Sequence, residues 1–298
     1  MPLSHRIAIL GVTGFIGREL PVMFARQGAP VTGISRSAHG EVKGVDHWQT
    51  LRDLNLENHS TVINLAGERI DQRWTKENRR RFHKSRIGVT MRIVDAIREL
   101  RPQDRPKLLI NGSAVGYYGD RGDELLPENA TAGNGYLADL CKEWEEAAFD
   151  AEALGVRVIT LRTGVVLGKG GPAFEKLSHL FNWGLGGKLG SGRQWMPWIH
   201  VDDLRCAILH ATVSPTLRGP VNGTAPTPER NEDFTRKLAS ALHRPAVLPV
   251  PAFALKLALG EFSTALLGGQ HALPVALERD GFNFRFPTLE SALADLVG

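Results

Sequence analysis

The sequence predicts an α/β fold: a doubly wound, mostly parallel sheet with helices on both faces, followed by a smaller C-terminal α/β domain. Two observations carry this prediction. Short, continuously apolar runs, typical of buried parallel strands, alternate with segments of helical periodicity. The first run, Ile7–Leu10, leads directly into three glycines spaced three residues apart. Further strand-like runs follow at Val31–Ile34, Thr61–Leu65, Pro106–Asn111, Val156–Leu161 and Val221–Gly223.

Composition narrows the class of protein. The 298 residues are 42% hydrophobic, which is enough for a large core. No apolar run reaches bilayer length, and Met1–Arg6 leads straight into a strand, so we expect neither a membrane span nor a secretory leader. Two cysteines, Cys141 and Cys206, cannot form a disulfide framework, which favours the reducing cytoplasm. The net charge of +4 suits either a nucleic acid or a phosphate-rich small molecule.

The segment after the first strand has the composition of a diphosphate-binding turn. Its first glycine lets the backbone turn off the strand, the second leaves room for a diphosphate, and the third lets the next helix lie close to the sheet. A strand, a glycine-rich turn and a helix in this order predict a Rossmann-like dinucleotide site. The helix is expected over residues 15–27, although Pro21 would interrupt a regular helix interior. The predicted cofactor contacts in this turn are Gly11, Thr13, Gly14, Phe15, Ile16 and Gly17.

The second strand-like run ends in Ser35 and Arg36, which we also assign to the cofactor. An acidic residue at this place would accept hydrogen bonds from the adenosine ribose of NAD, whereas a basic residue pairs with a 2′-phosphate. Arg36 therefore favours NADP, the alternative being a solvated surface arginine. Small residues after the third run, Leu65, Ala66 and Gly67, are expected to lay their backbone against the same cofactor.

A long helix is predicted from a Thr75 cap to near Leu100, and its start is densely basic. Aromatic residues do not alternate with these charges as a nucleic-acid stacking surface requires, so we expect a solvated face and no nucleic-acid partner. One of the basic residues, Arg86, is assigned to the NADP phosphate. The basic residues are Arg73, Lys76, Arg79, Arg80, Arg81, Lys84 and Arg86.

A serine and two tyrosines follow the strand-like run at 106–111 and are the candidate catalytic residues: Ser113, Tyr117 and Tyr118. On the ligand side of a sheet, such hydroxyls can polarise a substrate hydroxyl or carbonyl. A serine hydrolase is disfavoured, because Asn111 and Val115 stand where a Gly-x-Ser-x-Gly nucleophile turn has its glycines.

These motifs together resemble the extended short-chain dehydrogenase/reductase superfamily, which includes nucleotide-sugar epimerases. The segments that carry the resemblance are Gly11–Gly17, Asn64–Gly67, Ser113–Gly119, Arg162–Gly168 and Trp198–Asp203. Three more segments resemble an atypical branch, the epimerase family, which has its own C-terminal extension. They are Gly190–Trp195, Gln270–Pro274 and Phe282–Thr288. The resemblance covers nearly the whole chain, and it is specific for the family rather than for one reaction.

The same resemblance exposes a departure in the catalytic pattern. Active members use a serine with Tyr-x-x-x-Lys, in which the lysine and the cofactor lower the tyrosine pKa. In the register that best matches this branch, Leu137 takes the tyrosine place and Cys141 the lysine place. An unassisted tyrosine with a pKa near 10 is only ~0.1% ionised at neutral pH. Arg162 supplies the missing charge, holds the nicotinamide end of the cofactor, or forms a structural ion pair; the apolar helix stripe favours a buried, inert Cys141.

We predict an NADP-binding domain over residues 1–222, with a substrate-side insertion at about 168–194, and a small C-terminal substrate or cap domain over 223–298. Asp202 or Asp203 is interpreted as a helix N-cap, as is Asn231, and no metal site is expected. The alternating phenylalanines at positions 282, 284 and 286 are typical of a half-buried strand.

Two functions follow as alternatives. The first is an NADP-dependent oxidoreductase or epimerase that acts by hydride transfer on a small, sugar-like substrate, including one linked to a nucleotide. The second, supported by the loss of Tyr-x-x-x-Lys, is a catalytically degenerate NADP-binding sensor or interaction protein.

Overall fold

Strands and helices alternate along the chain in the computed structural model, which describes residues 6–36, 40–246 and 248–298. The strands are β1 (Arg6–Leu10), β2 (Val31–Ser35), β3 (His47–Thr50), β4 (His59–Asn64), β5 (Leu108–Ala114), β6 (Leu125–Leu126), β7 (Arg157–Thr163), β8 (Val165–Leu167), β9 (Trp195–Met196), β10 (Trp198–His200), β11 (Gly219–Gly223), β12 (Glu229–Arg230) and β13 (His271–Ala272). The helices are α1 (Leu20–Ala25), α2 (Lys76–His83), α3 (Val89–Arg98), α4 (Tyr136–Phe149), α5 (Pro172–Asn182), α6 (Val201–Val213), α7 (Asn231–Ala241), α8 (Ala252–Leu259), α9 (Ser263–Leu267), α10 (Val275–Arg279) and α11 (Leu289–Val297).

The central sheet has seven parallel strands in the order β3-β2-β1-β4-β5-β7-β11. From β1 the chain builds outward to β3, then returns to β4 on the other side of β1. Strand order therefore reverses between β1 and β4, which is where ligands enter a doubly wound sheet. The predicted Rossmann-like α/β fold is confirmed.

Each face of the sheet has its own core. On one face α1 and α6 cover strand residues such as Ile9, Ile63 and Ile159. On the other face α3 and α4 cover Leu109 and Val158. Alternate strand residues thus serve opposite faces, and the strands read as continuous apolar runs because both faces are covered.

The first helix is shorter than the sequence suggested. Gly17–Glu19 forms a single 3-10 turn, and the α-helix begins at Leu20. Pro21 consequently lies in the first turn, where its missing N–H has no helical partner to lose. The later prediction for Thr75 is confirmed, since its hydroxyl accepts a hydrogen bond from the Asn78 amide at the start of α2. A π-helical turn, Lys84–Gly88, then joins α2 to α3.

A third core lies in the second half of the chain, between α5, α7, α11 and the short β8–β10 pair. Residues such as Phe181, Trp198, Phe234 and Leu293 fill it. It takes side chains from both sides of residue 222, since α5, β8 and β10 pack against α7 and α11. The domain boundary predicted after residue 222 stays a prediction.

Three local interpretations of this half are wrong. His200, not Asp202 or Asp203, caps α6, by accepting the Asp202 amide at its Nδ1. Arg230 precedes α7 without a side-chain cap, and Asn231 instead accepts a hydrogen bond from the Leu189 amide. No strand forms over the phenylalanines at 282–286, because they serve separate cores: Phe282 packs into the first and Phe286 into the third.

Within the described residues, no helix is long and apolar enough to cross a bilayer, and no group of three or more His, Cys, Asp or Glu side chains could hold a metal ion. Met1–His5, on which the prediction of no leader partly depends, lies outside the described residues.

Candidate functional site

The carboxyl ends of the parallel strands bring the predicted site residues to one edge of the sheet. Gly11–Gly17 follows β1, and Arg36 follows β2. Leu65–Gly67 follows β4, and Ser113 stands one residue before the end of β5. In β7, Arg162 pairs in register with Ser113. The cofactor and chemistry residues of the prediction are thus neighbours along this edge.

Close backbone contacts shape the turn after β1. A Cβ on Gly11 would lie 2.8 Å from both the carbonyl carbon and the oxygen of Leu65, and Gly11 has a φ of 77°. A Cβ on Gly17 would lie 2.4 Å from the Gly11 carbonyl oxygen. Thr13 and Gly14, by contrast, are exposed. The turn is therefore tight against the sheet and open toward solvent, which fits a diphosphate held by backbone amides.

The turn is also held from the second half of the chain. The buried Arg205 of α6 donates from Nη2 to the carbonyl of Phe15 at 2.7 Å and from Nε to that of Ile16 at 3.1 Å. The Phe15 ring occupies the space left by Gly168 and Gly171, whose Cβ atoms would lie 2.6 and 2.4 Å from it. Both carbonyls are engaged by a cation, so they are not left to repel a bound diphosphate.

Asn64, at the end of β4, fixes the backbone that follows it. Its Nδ2 donates to Oδ1 of Asn111 at 2.7 Å and to the Thr90 hydroxyl at 3.2 Å, and its Oδ1 accepts the Ala66 amide at 3.2 Å. Both asparagines are buried. This network ties β4, β5 and α3 together. It places the half-buried to exposed Leu65–Gly67 at the carboxyl end of β4, where strand order reverses and a ligand crevice is expected.

The two arginines predicted for the cofactor phosphate flank β1 on opposite sides. Ser35 ends β2, and the exposed Arg36 follows it. Arg86 stands in the π-helical turn, donates to the Glu68 carbonyl at 2.9 Å and lies with its guanidinium carbon 5.2 Å from the Trp144 ring centroid. Burial lowers the pKa of Arg86. Its neighbours belong to the end of β4 and to α4, so it lies on the same side of β1 as Ser113.

Ser113 belongs to a buried charged group beneath this edge. Its hydroxyl lies 2.6 Å from Oε1 of Glu145, on α4. Arg162 donates to the same carboxylate twice, from Nε to Oε1 and from Nη2 to Oε2, each at 2.8 Å. The side chains of Arg162 and Glu145 are 2% and 4% exposed. Burial opposes the charge of Arg162, but the hydrogen bonds and attraction of Glu145 outweigh it and raise the arginine pKa. The structural ion pair, one of the three roles considered for Arg162, is present. Its two other roles stay predictions.

The two candidate tyrosines differ sharply. The fully buried Tyr118 accepts from Nη1 of Arg162 at 2.9 Å and donates to Oδ1 of Asn222 at 2.8 Å. Burial raises its pKa against the opposing effect of Arg162. Tyr117 is half-buried, and its ring centroid lies 3.5 Å from the Arg162 guanidinium carbon. Its hydroxyl makes no hydrogen bond within the described residues. The Tyr118 hydroxyl is thus engaged within the protein, whereas, within the described residues, that of Tyr117 is not; a catalytic role for either tyrosine stays a prediction.

The positions of the missing Tyr-x-x-x-Lys are occupied by apolar contacts. A Cβ on Gly116 would lie 3.2 Å from Leu137 Cβ and 3.9 Å from Cys141 Sγ, so both residues face the turn after β5. Cys141 is buried, and desolvation raises its pKa to about 12, with Glu145 adding to the effect. A neutral thiol cannot replace the lysine charge, and the prediction of an inert Cys141 fits this environment.

A family model described as the NAD dependent epimerase/dehydratase family matches residues 7–220. The chain belongs to this family. A second model, a domain of unknown function (DUF1731), matches residues 250–296. Family membership confirms the resemblance noted in the sequence and makes the chain an NAD(P)-binding protein with a general oxidoreductase- or epimerase-like role.

Relatives of this family match nearly the full length. The chain is 39% identical to an Arabidopsis thaliana protein named epimerase family protein SDR39U1 homolog, chloroplastic, over 98% of this chain and 86% of the relative. The structure of human epimerase family protein SDR39U1 (isoform 2) with NADPH has a TM-score of 0.89 at 31% identity and covers 98% and 99% of the two chains. A UDP-glucuronic acid 4-epimerase from Bacillus cereus, in complex with UDP-glucuronic acid and NAD, has a TM-score of 0.77 at 15% identity and covers 98% of each chain. This last likeness shows the fold alone.

Sequence reasoning missed two residues of the site. Glu145 lies one helical turn after Cys141, so a glutamate on an otherwise apolar helix stripe was its available signal. Arg205 had a similar signal, a charged residue between the apolar Leu204 and Ala207 of α6. In both cases the partner, Arg162 or the Phe15 backbone, is distant in sequence.

Proposed function

We propose that this chain is an NADP(H)-dependent oxidoreductase or epimerase that acts by hydride transfer on a small, sugar-like substrate, including nucleotide-linked sugars. The glycine turn after β1 would hold the diphosphate, and Arg36, exposed after β2, would pair with the 2′-phosphate. The human relative, whose structure contains NADPH, supports NADP. When bound, the nicotinamide supplies or accepts the hydride.

The observation that carries the proposal is the position of Ser113 and Tyr117. Ser113 lies on the strand next to β4, whose carboxyl end borders the crevice, and the available Tyr117 hydroxyl lies on the turn that follows. In this proposal Ser113 orients the substrate, and Tyr117 exchanges a proton with it beside the fixed charge of Arg162. Arg86 would contact a phosphate or another anionic group on the same side of the crevice.

Residues 223–298 are proposed to cover the substrate side. Gln270 donates to the Gly119 carbonyl at 2.9 Å, at the end of the turn that carries Tyr117. The basic start of α2 faces this segment: Arg73 donates to the carbonyl of Leu257 at 2.8 Å, and Arg79 pairs with Glu261. These contacts use the basic residues within the protein, which supports a small-molecule partner over a nucleic acid. Two unpaired cysteines support a cytoplasmic location.

Absorbance of the nicotinamide tests the proposal. Protein loaded with NADP(H) is mixed with sugar nucleotides and small carbonyl compounds, and turnover that Tyr117→Phe and Ser113→Ala abolish would support hydride transfer. Thr131→Ala, exposed beyond the turn, serves as a control that keeps the site intact.

A sensor or interaction protein is the second candidate, and the apolar Leu137 and Cys141 favour it. It predicts tight NADPH binding without turnover on any compound of the panel. Turnover that depends on Tyr117 would exclude it.

A further inference from the structure

The direction of one hydrogen bond decides what Ser113 offers to a ligand. Arg162 donates to both oxygens of Glu145, and its guanidinium has no acceptor to offer in return. The carboxylate is therefore the acceptor in its third contact as well, at 2.6 Å from the Ser113 oxygen. A serine hydroxyl has one proton, and here that proton points to Glu145.

The alternative direction is unfavourable in this structure. If Ser113 turned its proton to a ligand, Glu145 Oε1 would lose a charge-assisted hydrogen bond within a carboxylate that is 4% exposed. Ser113 is itself 5% exposed, so water has little access to replace that bond. The neighbouring Tyr118 cannot help, because its hydroxyl already donates to Asn222.

We infer that Ser113, held by the Glu145–Arg162 pair, acts as a hydrogen-bond acceptor and selects a ligand group that donates, an alcohol hydroxyl or an amide N–H, over a bare carbonyl oxygen. Glu145 is a positioning residue that sets this polarity. The inference rests on the proposed function for the location of the ligand, but not for the direction of the bond. The donor comes from one of two sources, a hydroxyl of the substrate or the carboxamide of the cofactor.

Neutron diffraction of the deuterated, ligand-free protein tests the polarity directly. A deuteron bonded to Ser113 Oγ and directed at Glu145 Oε1 is expected. A deuteron on Ser113 that points away from Glu145, or one carried by Glu145, would overturn the inference, whatever calorimetry shows about NADPH. Absence of NADPH affinity would contradict the proposed function instead.

Two matched probe pairs test the ligand class and its source. The first compares NADP with its acetylpyridine analogue, which keeps the carbonyl but lacks the amide N–H. The second compares UDP-glucose with the corresponding keto-sugar nucleotide on NADP-loaded protein. Wild type is expected to bind the hydrogen-bond-donating member of one pair about tenfold more tightly than its partner probe. Ser113→Ala removes that preference, and Ser113→Thr, which keeps the hydroxyl, retains it.

The pair that responds identifies the source of the donor. A Ser113-dependent preference for the carbonyl member, or no Ser113-dependent preference in either pair, would contradict the inference. The double variant Glu145→Ala/Arg162→Met removes both charges together with the acceptor of the serine proton, which leaves that proton free, so the donor preference should fall toward unity. If Glu145 had only a structural role, the double variant would bind both members of a pair more weakly and by the same factor.

Discussion

Gly11 and Leu65 meet backbone to backbone across the point where strand order reverses, and a Cβ on Gly11 would lie 2.8 Å from the Leu65 carbonyl. Gly11→Ala therefore adds a clash to the roughly 1–2 kcal/mol cost of a left-handed backbone for an L-residue. We expect a marked loss of stability in urea unfolding and at least about tenfold weaker NADPH binding by calorimetry.

Gly28→Ala is the matched control for that variant. Gly28 has a φ of 74°, close to that of Gly11, but a Cβ there meets nothing within 4 Å. It should lose only the backbone contribution and keep its NADPH affinity. Equal losses in both variants would show that the contact with Leu65 has no effect.

Arg36 should decide between NADPH and NADH. Arg36→Ala removes a charge-assisted partner of the 2′-phosphate, so NADPH affinity should fall by about ten- to hundredfold while NADH affinity stays unchanged. Fluorescence titration with both cofactors measures the ratio. Arg52→Ala, exposed after β3, is the control and should leave the ratio at its wild-type value. If Arg36→Ala weakened both cofactors alike, Arg36 would not recognise the phosphate.

The cofactor half of the site could be predicted from the sequence because its determinants are local. Gly11–Gly17 follows its strand directly, and Leu65–Gly67 and Arg36 likewise come at strand ends. Parallel strands place such ends at one edge, so sequence order alone indicates their proximity.

The half of the candidate site around Ser113 and the two tyrosines depends on contacts between residues that are distant in sequence. Glu145 meets Ser113 across 32 positions, and Arg162 meets Tyr118 across 44. Periodicity indicates that α4 is buried, but it does not indicate which strand residue would pair with a charge on that helix. For the same reason Tyr117 and Tyr118 could not be distinguished before their surroundings were known.

The ion pair under Ser113 should be intolerant of single substitutions. Glu145→Ala leaves the 2% exposed Arg162 without its partner, and a cost of about 3–5 kcal/mol is expected. Glu145→Ala/Arg162→Met removes both charges, so it should be more stable than the Glu145→Ala variant. Urea unfolding gives the free energy of unfolding of wild type, the two single variants and the double variant. A double variant whose loss of stability equals the sum of the two single losses would contradict the coupling.

The raised pKa of the buried Cys141 thiol should make the protein lose stability at high pH. Its pKa in the folded protein, about 12, lies above the ordinary thiol value of 9.0, so the unfolded thiol releases its proton first. The unfolded state then binds fewer protons over this window, and the free energy of unfolding falls as pH rises from about 9 toward 12. Below pH 9 the contribution is fully present. The free energy of unfolding in urea is measured for wild type and for Cys141→Ala at each pH, and the difference between the two isolates the contribution of the thiol. A difference that does not change with pH would contradict the assigned environment.

Asp203 joins α6 to the segment before α11. This fully buried carboxylate accepts the backbone amides of Arg285 and Phe286 at 2.8 and 2.9 Å, which fixes a stretch that bridges two cores. Asp203→Ala leaves two amides without acceptors, at about 1–3 kcal/mol each. We expect lower stability in urea and faster hydrogen exchange at both amides. Asp202→Ala, its 40% exposed neighbour, removes side-chain ion pairs with Arg205 and Arg285 but no contact with the two amides, which should stay protected. Fast exchange at those amides in Asp202→Ala, but not in Asp203→Ala, would show that Asp202 and not Asp203 fixes this stretch.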